Sequence, residues 1–154
     1  MPDPDAGGAK DPKPDVIARL QRIVVDTNVV VSGALRRHGS PPARILDAIA
    51  NGAVQLLWDE RLEAEYEEVL LRPHFRLTPD TVRDLLTRLR DGAEHIAALP
   101  LAIALPDPDD LMFLEVAAAG SADYLVTANS RHFVPTRGPH AVVVVPPRAF
   151  VELL

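Results

Sequence analysis

Several acidic side chains of this sequence stand at the end, at the start or at the border of an apolar segment. Asp26 ends a compact β-branched segment, and residues 107–110 contain three aspartates at the start of a nearly all-apolar segment. Residues 60–71 carry five glutamates beside an apolar stripe of helical period. A helical wheel puts Glu63 and Glu65 at the two borders of that stripe, so either one could point into a cleft. If these carboxylates converge, their mutual repulsion requires a cation between them.

The composition restricts which cation that would be. The sequence has no cysteine, and no histidine stands at ligand spacing from the acids, so the expected ion is a hard one, Mg²⁺ or Mn²⁺. Carboxylate-bound metal ions are typical of sites that hydrolyse phosphate esters. The 22 acidic and 16 basic residues give a net charge of −6, which argues against a broad basic surface for nucleic acid. A polyanionic substrate would therefore need bound cations or a local basic patch.

One domain is the expected organisation. The 154 residues allow a single core, which we place at residues 16–154. Residues 1–15 contain four prolines and four aspartates, and we expect a flexible or disordered leader there rather than a secretory signal, because an apolar region is missing. No segment approaches the ~18 apolar residues of a membrane span. We therefore expect a cytoplasmic protein that makes no membrane contact.

Hydrophobic patterning predicts strands that alternate with helices. The predicted strands are 22–26, 54–58, 124–127 and 141–145, and 101–105 could form a further short one. The predicted helices are a short turn near 16–20 and longer helices at 41–51, 60–71, 78–100, 107–120 and 147–154. This alternation favours an α/β fold with a mostly parallel sheet that is covered on both faces.

Two of these segments carry signals that bear on their boundaries. The helix that begins at Thr78 and Pro79 has an apolar stripe of 3.6-residue period that continues to Ala93 and Ile96. Val29–Val31 prolong the β-branched character of the first strand, so that propensity alone would extend it.

Ligands of open parallel sheets bind beyond the carboxyl ends of the strands. Asp26, Thr27 and Asn28 follow the first predicted strand, and Asn129 follows the strand that ends at Thr127. We therefore expect these residues and the acids of the helices to converge at one sheet edge. Each acid also has a purely structural interpretation. Asp26 and Asp107 could simply cap helices. Asp110 could be an acid that stabilises the first turn of a helix, and Glu65 could be a solvated side chain.

Four segments, in this order along the chain, resemble the motifs of PIN-domain nucleases. The segments are Val24–Ser32 (VVDTNVVVS), Glu65–Phe75 (EYEEVLLRPHF), Asp107–Leu114 (DPDDLMFL) and Ala122–Phe133 (ADYLVTANSRHF). The resemblance covers roughly residues 20–154 and is nearest to the bacterial toxin-like branch. It implies a Rossmann-like α/β/α sandwich and metal-dependent cleavage of RNA that leaves a 5′-phosphate. It also implies a helix, not a strand, after Asn28.

The resemblance implies roles for individual residues. Asp26, Glu65 and Asp110 take the places of the three main metal-binding carboxylates. Thr27 and Asn28 take the places of polar residues that orient the first carboxylate or touch the substrate.

The sequence departs from the family pattern at Asn129, where many members carry aspartate. A neutral amide can position water but cannot act as a base, so we expect one tightly bound Mg²⁺ or Mn²⁺ and a second ion recruited with the substrate. We include Asn129 among the predicted catalytic residues and Asp123 as a nearby acid that could compensate as a metal ligand. The candidates for phosphate contacts are Arg131, His132, Arg36 and Arg37.

Other classes of protein share an acidic sheet edge. A haloacid-type phosphatase would carry a second aspartate at the position of Asn28, and a receiver domain needs an acidic pair at the first strand, where Asp26 stands alone. A serine hydrolase needs a Gly-x-Ser-x-Gly turn. The sequence contains none of these three features. The alternative that remains open is a non-catalytic PIN-like module that binds RNA or a protein. The resemblance further implies a homodimer and a small antitoxin partner, while the RNA sequence preference cannot be derived from phosphate contacts.

Overall fold

The computed structural model describes residues 19–36, 38–133 and 142–154. The predicted leader at 1–15 lies outside these residues, as does Arg37. The predicted helical turn near 16–20 lies largely outside them, and its described residues, Arg19 and Leu20, are not helical.

A sheet of five parallel strands forms the centre of the fold. The strands are β1 (Arg22–Val25), β2 (Gln55–Trp58), β3 (Ala93–His95), β4 (Tyr124–Val126) and β5 (Val143–Val145). Their order across the sheet is β3-β2-β1-β4-β5, and each neighbouring pair is parallel. The predicted α/β class with a mostly parallel sheet is confirmed.

Six α-helices accompany the strands within the described ranges. They are α1 (Thr27–Leu35), α2 (Pro41–Ala50), α3 (Glu60–Leu70), α4 (Pro79–Asp91), α5 (Leu111–Ala119) and α6 (Pro147–Phe150). Short 3₁₀ turns occupy Pro73–Phe75, Pro108–Asp110, Ser130–Phe133 and Val151–Leu153. None of the helices described is long and apolar enough to cross a membrane.

The helix starts follow from capping side chains. Ser40, Asp59 and Thr78 each accept a hydrogen bond from a backbone N–H in the first turn of α2, α3 and α4, which satisfies donors that a helix start otherwise leaves free. Pro41 and Pro79 occupy the first positions of their helices, where proline costs no hydrogen bond.

Val29–Val31 lie in helix α1, against their β propensity and in agreement with the family resemblance. Asp26 caps this helix, since its side chain accepts from the N–H of Thr27 and its carbonyl accepts from Val29. All three valines are buried. Burial of this much apolar surface outweighs the few tenths of a kcal/mol by which valine disfavours a helix.

The segment after α4 departs from the sequence prediction. The apolar stripe predicted a helix as far as Pro100, but α4 ends at Asp91 with Gly92 as its cap, and Ala93 begins β3. The N–H of Ile96 then donates to the carbonyl of Trp58, so Ala93 and Ile96 belong to the sheet edge. Residues 101–105 are not a strand; the N–H of Leu101 donates instead to the buried carboxylate of Glu115.

The strand order reverses between β1 and β4. Right-handed crossovers from β1 to β2 and from β2 to β3 put α1–α4 on one face of the sheet, and the return crossover to β4 carries α5 to the other. The apolar residues of β1 and β2 are accordingly buried on both faces. The crevice at such a reversal is where α/β sheets bind ligands.

Candidate active site

An open cleft of about 400 Å³ lies beyond the carboxyl ends of β1 and β4. Residues from the β1–α1 junction, α3, the segment after α3, the turn before α5 and the loop after β4 line it. The polar residues among them are Asp26, Thr27, Asn28, Ser32, Glu65, Arg72, Asp107, Asp110, Asn129 and His132. The structure thus brings carboxylates from remote parts of the chain to the expected sheet edge.

Asp26 is the most deeply buried of these acids. One of its carboxylate oxygens accepts from Thr127 Oγ1 at 2.7 Å and from Asn28 Nδ2 at 3.2 Å, and the other accepts from the N–H of Thr27 at 2.8 Å. Burial raises the pKa of Asp26 above its ordinary value, although these hydrogen bonds lower it. The carboxylate is therefore held in one orientation at an energetic cost.

The two border glutamates of α3 have different environments. Glu63 accepts from Trp58 Nε1 at 3.1 Å and forms an ion pair with Arg90, so it is occupied in joining α3 to β2 and α4. Glu65 lines the cleft, and its pKa is raised by burial first and then by neighbouring carboxylates that include Asp26. Of the two residues that the helical wheel left open, Glu65 is the one in the cleft.

Asp110 lies in the 3₁₀ turn that precedes α5. Its Oδ2 is 3.2 Å from Nδ1 of His132. Burial, followed by repulsion from Asp26 and Asp107, raises the pKa of Asp110 to about 6. Asp26 and Asp110 line the same cleft, which accounts for the repulsion between them.

Hydrogen bonds attach the loop after β4 to the Asp26 network. The N–H of Asn129 donates to Thr127 Oγ1 at 3.0 Å, and the N–H of Ala128 donates to Asn28 Oδ1 at 3.3 Å. The Thr127 hydroxyl thus connects the backbone of Asn129 to the carboxylate of Asp26. This connection explains how Asn129 is kept at the cleft.

The donor set agrees in chemical type with a hard divalent ion. Asp26, Glu65 and Asp110 offer only oxygen atoms as ligands, and oxygen is the ligand type that hard divalent ions prefer. Thr27 Oγ1 is buried without a hydrogen-bond partner among the described residues, and a bound ligand or water would satisfy it. Within the described ranges, however, no three potential ligands are drawn together into a closed metal site.

Asp123 is not brought to this cleft, which corrects the prediction that it would serve as a metal ligand. It precedes β4, at the end of the strand opposite the cleft. Both carboxylate oxygens receive hydrogen bonds of 2.8 Å from Arg19, and one also accepts from the N–H of Arg22. This pairing with Arg19 holds the pKa of Asp123 below its ordinary value.

The predicted phosphate contacts are distributed unevenly. His132 lines the cleft, whereas Arg131 is exposed and is not part of the lining. Arg36 lines a separate pocket between α1, α2 and α4. Arg72 lines the cleft but was not predicted as a site residue. The sequence shows it only as a basic residue that follows an acidic helix. Thr127 was not predicted either, because a threonine at a strand end cannot be distinguished from other β-branched residues unless its hydrogen bond to Asp26 is known.

The family model described as PIN domain matches residues 22–131, more than two thirds of the chain. The matched range contains Asp26, Glu65, Asp110 and Asn129. No curated protein matches the chain.

Proposed function

The chain belongs to the PIN-domain family, and on this premise we propose that it is a Mg²⁺- or Mn²⁺-dependent endoribonuclease. Members of this family are generally nucleases and commonly use divalent metal ions. The observation that carries the proposal is the convergence of Asp26, Glu65 and Asp110, from three separate elements, on one cleft at the strand-order reversal. Carboxylates that repel one another at a ligand-binding crevice favour a bound cation there.

Each residue of the cleft has a distinct part in this proposal. Asp26, Glu65 and Asp110 would hold the ion, with Asp26 oriented by Thr127, whose hydroxyl donates to it. Asn28 donates to Asp26 and accepts from the loop after β4, so it couples the two strand ends. A divalent ion, when bound, lowers the pKa of water and offsets the charge that develops on the phosphate.

Asn129 bears on the number of ions. Its neutral side chain lies at the cleft and adds no negative charge, so we propose one tightly held ion and a second that arrives with the substrate. Asn129 would then orient water or a phosphate oxygen through its amide rather than accept a proton.

We further propose that the protein is the toxin of a toxin–antitoxin pair and acts as a homodimer. The resemblance of its four motifs to the toxin-like branch supports this. The acidic cleft would accept a basic side chain from a small antitoxin protein, which would compete with the metal ion. Purification of the chain with the product of a neighbouring short gene tests this part of the proposal.

The nuclease proposal is tested by substitution of Asp26. We expect Asp26→Asn to lower Mg²⁺-dependent cleavage of single-stranded RNA by at least about 100-fold, because it removes a charge on which metal binding depends. Asp84→Asn, an exposed change on α4, is the matched control and should cleave like the wild type. Wild-type cleavage by pure Asp26→Asn protein would overturn the proposal.

A non-catalytic module remains the second candidate. The neutral Asn129 and the lack of a closed three-ligand group in the described part of the chain favour it. Calorimetric titration with Mn²⁺ separates the two candidates. A nuclease should bind Mn²⁺ and lose most of that binding in Glu65→Gln, whereas a binding module should retain RNA without cleavage and show no Mn²⁺ affinity.

A further inference from the structure

The cleft has an uneven distribution of charge. Four carboxylates line it, on Asp26, Glu65, Asp107 and Asp110, while the basic side chains on its described lining are those of Arg72 and His132. His132 contacts Asp110, whereas the guanidinium of Arg72 forms its ion pair with Glu68, outside the lining of the cleft. Resting on the proposed nuclease function, we propose that Arg72 binds a phosphate of the substrate strand and positions that strand against the carboxylates.

The backbone of Arg72 is fixed on both sides. Its N–H donates to the carbonyl of Val69 at 3.1 Å, and its own carbonyl accepts from the N–H of Phe75 at 3.0 Å. Pro73 follows directly and begins a 3₁₀ turn, and its ring restricts the conformation of Arg72 as well. The point from which the side chain extends is therefore well defined, as a positioning role requires.

The side chain of Arg72, in contrast, is only weakly engaged. Half of it is exposed, and its Nη2 lies 3.3 and 3.5 Å from the two carboxylate oxygens of Glu68, which is itself mostly exposed. Surface pairs of this length and exposure contribute little to stability. A phosphate can replace Glu68, because guanidinium groups bind phosphate through two parallel hydrogen bonds.

The wall beside Arg72 suits a nucleotide chain. Phe75 lines the same cleft and packs partly against the core, and the ring of the exposed His74 lies 4.1 Å from it, centroid to centroid. A basic group next to aromatic rings is how single-stranded nucleic acids are held, the phosphate on the cation and a base or sugar on a ring. Repulsion between the polyanion and the four acids favours a local cation beside the metal site in a protein of net charge −6.

The competing explanation is that Arg72 only stabilises the end of α3 through Glu68. The two explanations differ in what Glu68 does. If Arg72 serves the helix, removal of either partner has the same effect. If Arg72 binds phosphate, Glu68 competes with the substrate, and its removal leaves binding unchanged or makes it tighter.

We therefore test binding of a fluorescein-labelled oligouridylate of about 12 nucleotides, with Asp26→Asn in every protein to prevent cleavage. Arg72→Gln should weaken binding about tenfold at low salt and reduce the slope of log affinity against log salt by about 0.7, the value for one phosphate contact on a single strand. Glu68→Gln should bind at least as tightly as the parent. Arg83→Gln, an exposed change on α4 outside the cleft, should bind as the parent does.

The same substitution in the cleavage-competent protein gives a second readout. Arg72→Gln should raise KM about tenfold and change kcat less, and its melting temperature should match that of Glu68→Gln. Equal weakening by Arg72→Gln and Glu68→Gln, or an unchanged salt slope in Arg72→Gln, would overturn the proposal. If either of these results is found and the wild type still cleaves RNA, the nuclease function stands without the proposed role of Arg72. If the wild type neither binds nor cleaves RNA, both proposals fall.

Discussion

The side chain of Asp26 is held between two opposing influences. Burial disfavours its charge and raises its pKa, while the hydroxyl of Thr127 and the side-chain amide of Asn28 favour the charge. Thr127 is fully buried, and its hydroxyl also accepts from the N–H of Asn129. One hydroxyl group therefore favours the charged form of Asp26 and also holds the backbone of Asn129.

Substitution of Thr127 tests this dependence. Thr127→Val keeps the shape but removes the donor to Asp26, which leaves that buried carboxylate short of one hydrogen bond at a cost of about 1–3 kcal/mol. We expect Mn²⁺ affinity and RNA cleavage to fall about 10- to 100-fold, the usual effect of losing a group that orients a metal ligand. Calorimetry and steady-state kinetics measure the two.

Thr127→Ser is the matched control for this change, since it keeps the hydroxyl and loses only a methyl group. It should retain most of the activity. Equal activity of the valine variant and the wild type would show that the hydroxyl does not support Asp26.

Helix α3 has one glutamate for structure and one for the cleft. Glu63 joins the helix to β2 through Trp58 and to α4 through Arg90, and Tyr66 donates a hydrogen bond to the carbonyl of Val25, next to Asp26. These contacts fix the rotation of α3 about its axis. The rotation in turn directs Glu65 into the cleft rather than into solvent.

Loss of the Glu63 contacts should be visible in the pH dependence of stability. The ion pair with Arg90 and the bond from Trp58 hold the pKa of Glu63 below its ordinary value of 4.5. A group whose pKa is lowered on folding stabilises the protein above its unfolded pKa and loses that contribution as pH falls through the folded pKa. Glu63→Gln should therefore lower the free energy of unfolding by about 1 kcal/mol at pH 7, allowing for the partial exposure of Arg90.

Denaturant unfolding at a series of pH values measures this difference. The gap between Glu63→Gln and the wild type should be constant above about pH 5 and close as pH falls below 4.5. Glu60→Gln, on the exposed side of the same helix, should show no such gap. A gap that persists at low pH would mean that packing, and not charge, accounts for the effect.

The molecule as a whole assembles acids from separate elements at one crevice, and this convergence is unfavourable without a cation. Burial, and then repulsion from Asp26 and Asp107, raises the pKa of Asp110 from an ordinary 3.8 to about 6. An acid whose pKa is raised on folding makes the protein less stable as pH rises from the unfolded to the folded pKa, and the full cost is present above the latter. The rest of the fold thus maintains the geometry of the candidate site.

Metal removal and a single substitution should reveal this cost. In EDTA at pH 7.5, Asp110→Asn should be about 1–2 kcal/mol more stable than the wild type, and the advantage should disappear towards pH 4. Added Mn²⁺ should raise the melting temperature of the wild type but hardly that of the variant, because an ion that binds only the folded state stabilises it. Thermal denaturation measures both, and lower stability of Asp110→Asn in EDTA would contradict the argument.

Local rules account for much of the secondary structure. Capping residues and prolines marked the starts of α2, α3 and α4, and short β-branched or apolar runs marked β1, β2 and β4. The same rules failed where two of them conflicted or where a partner decided the outcome. The three valines of α1 lie in a helix because their burial outweighs their β propensity. Ala93 lies in a strand, and not in the predicted helix, because it pairs with Leu56 of β2.

By itself, the sequence determined the α/β class, the family motifs and the set of acids that could bind a metal ion, because periodicity, capping and residue type act over a few neighbouring positions. The family resemblance had already grouped Asp26, Glu65 and Asp110, and the tertiary structure decided how they reach one cleft and which other acids stay away from it. In the folded protein Glu65 lines the cleft, whereas Glu63 forms an ion pair with Arg90. Asp123 pairs with Arg19 at the opposite end of β4. Thr127 donates a hydrogen bond to Asp26 across 101 positions of the chain. Such pairings depend on strand order and helix rotation, which the packing of the whole core fixes and no local pattern encodes.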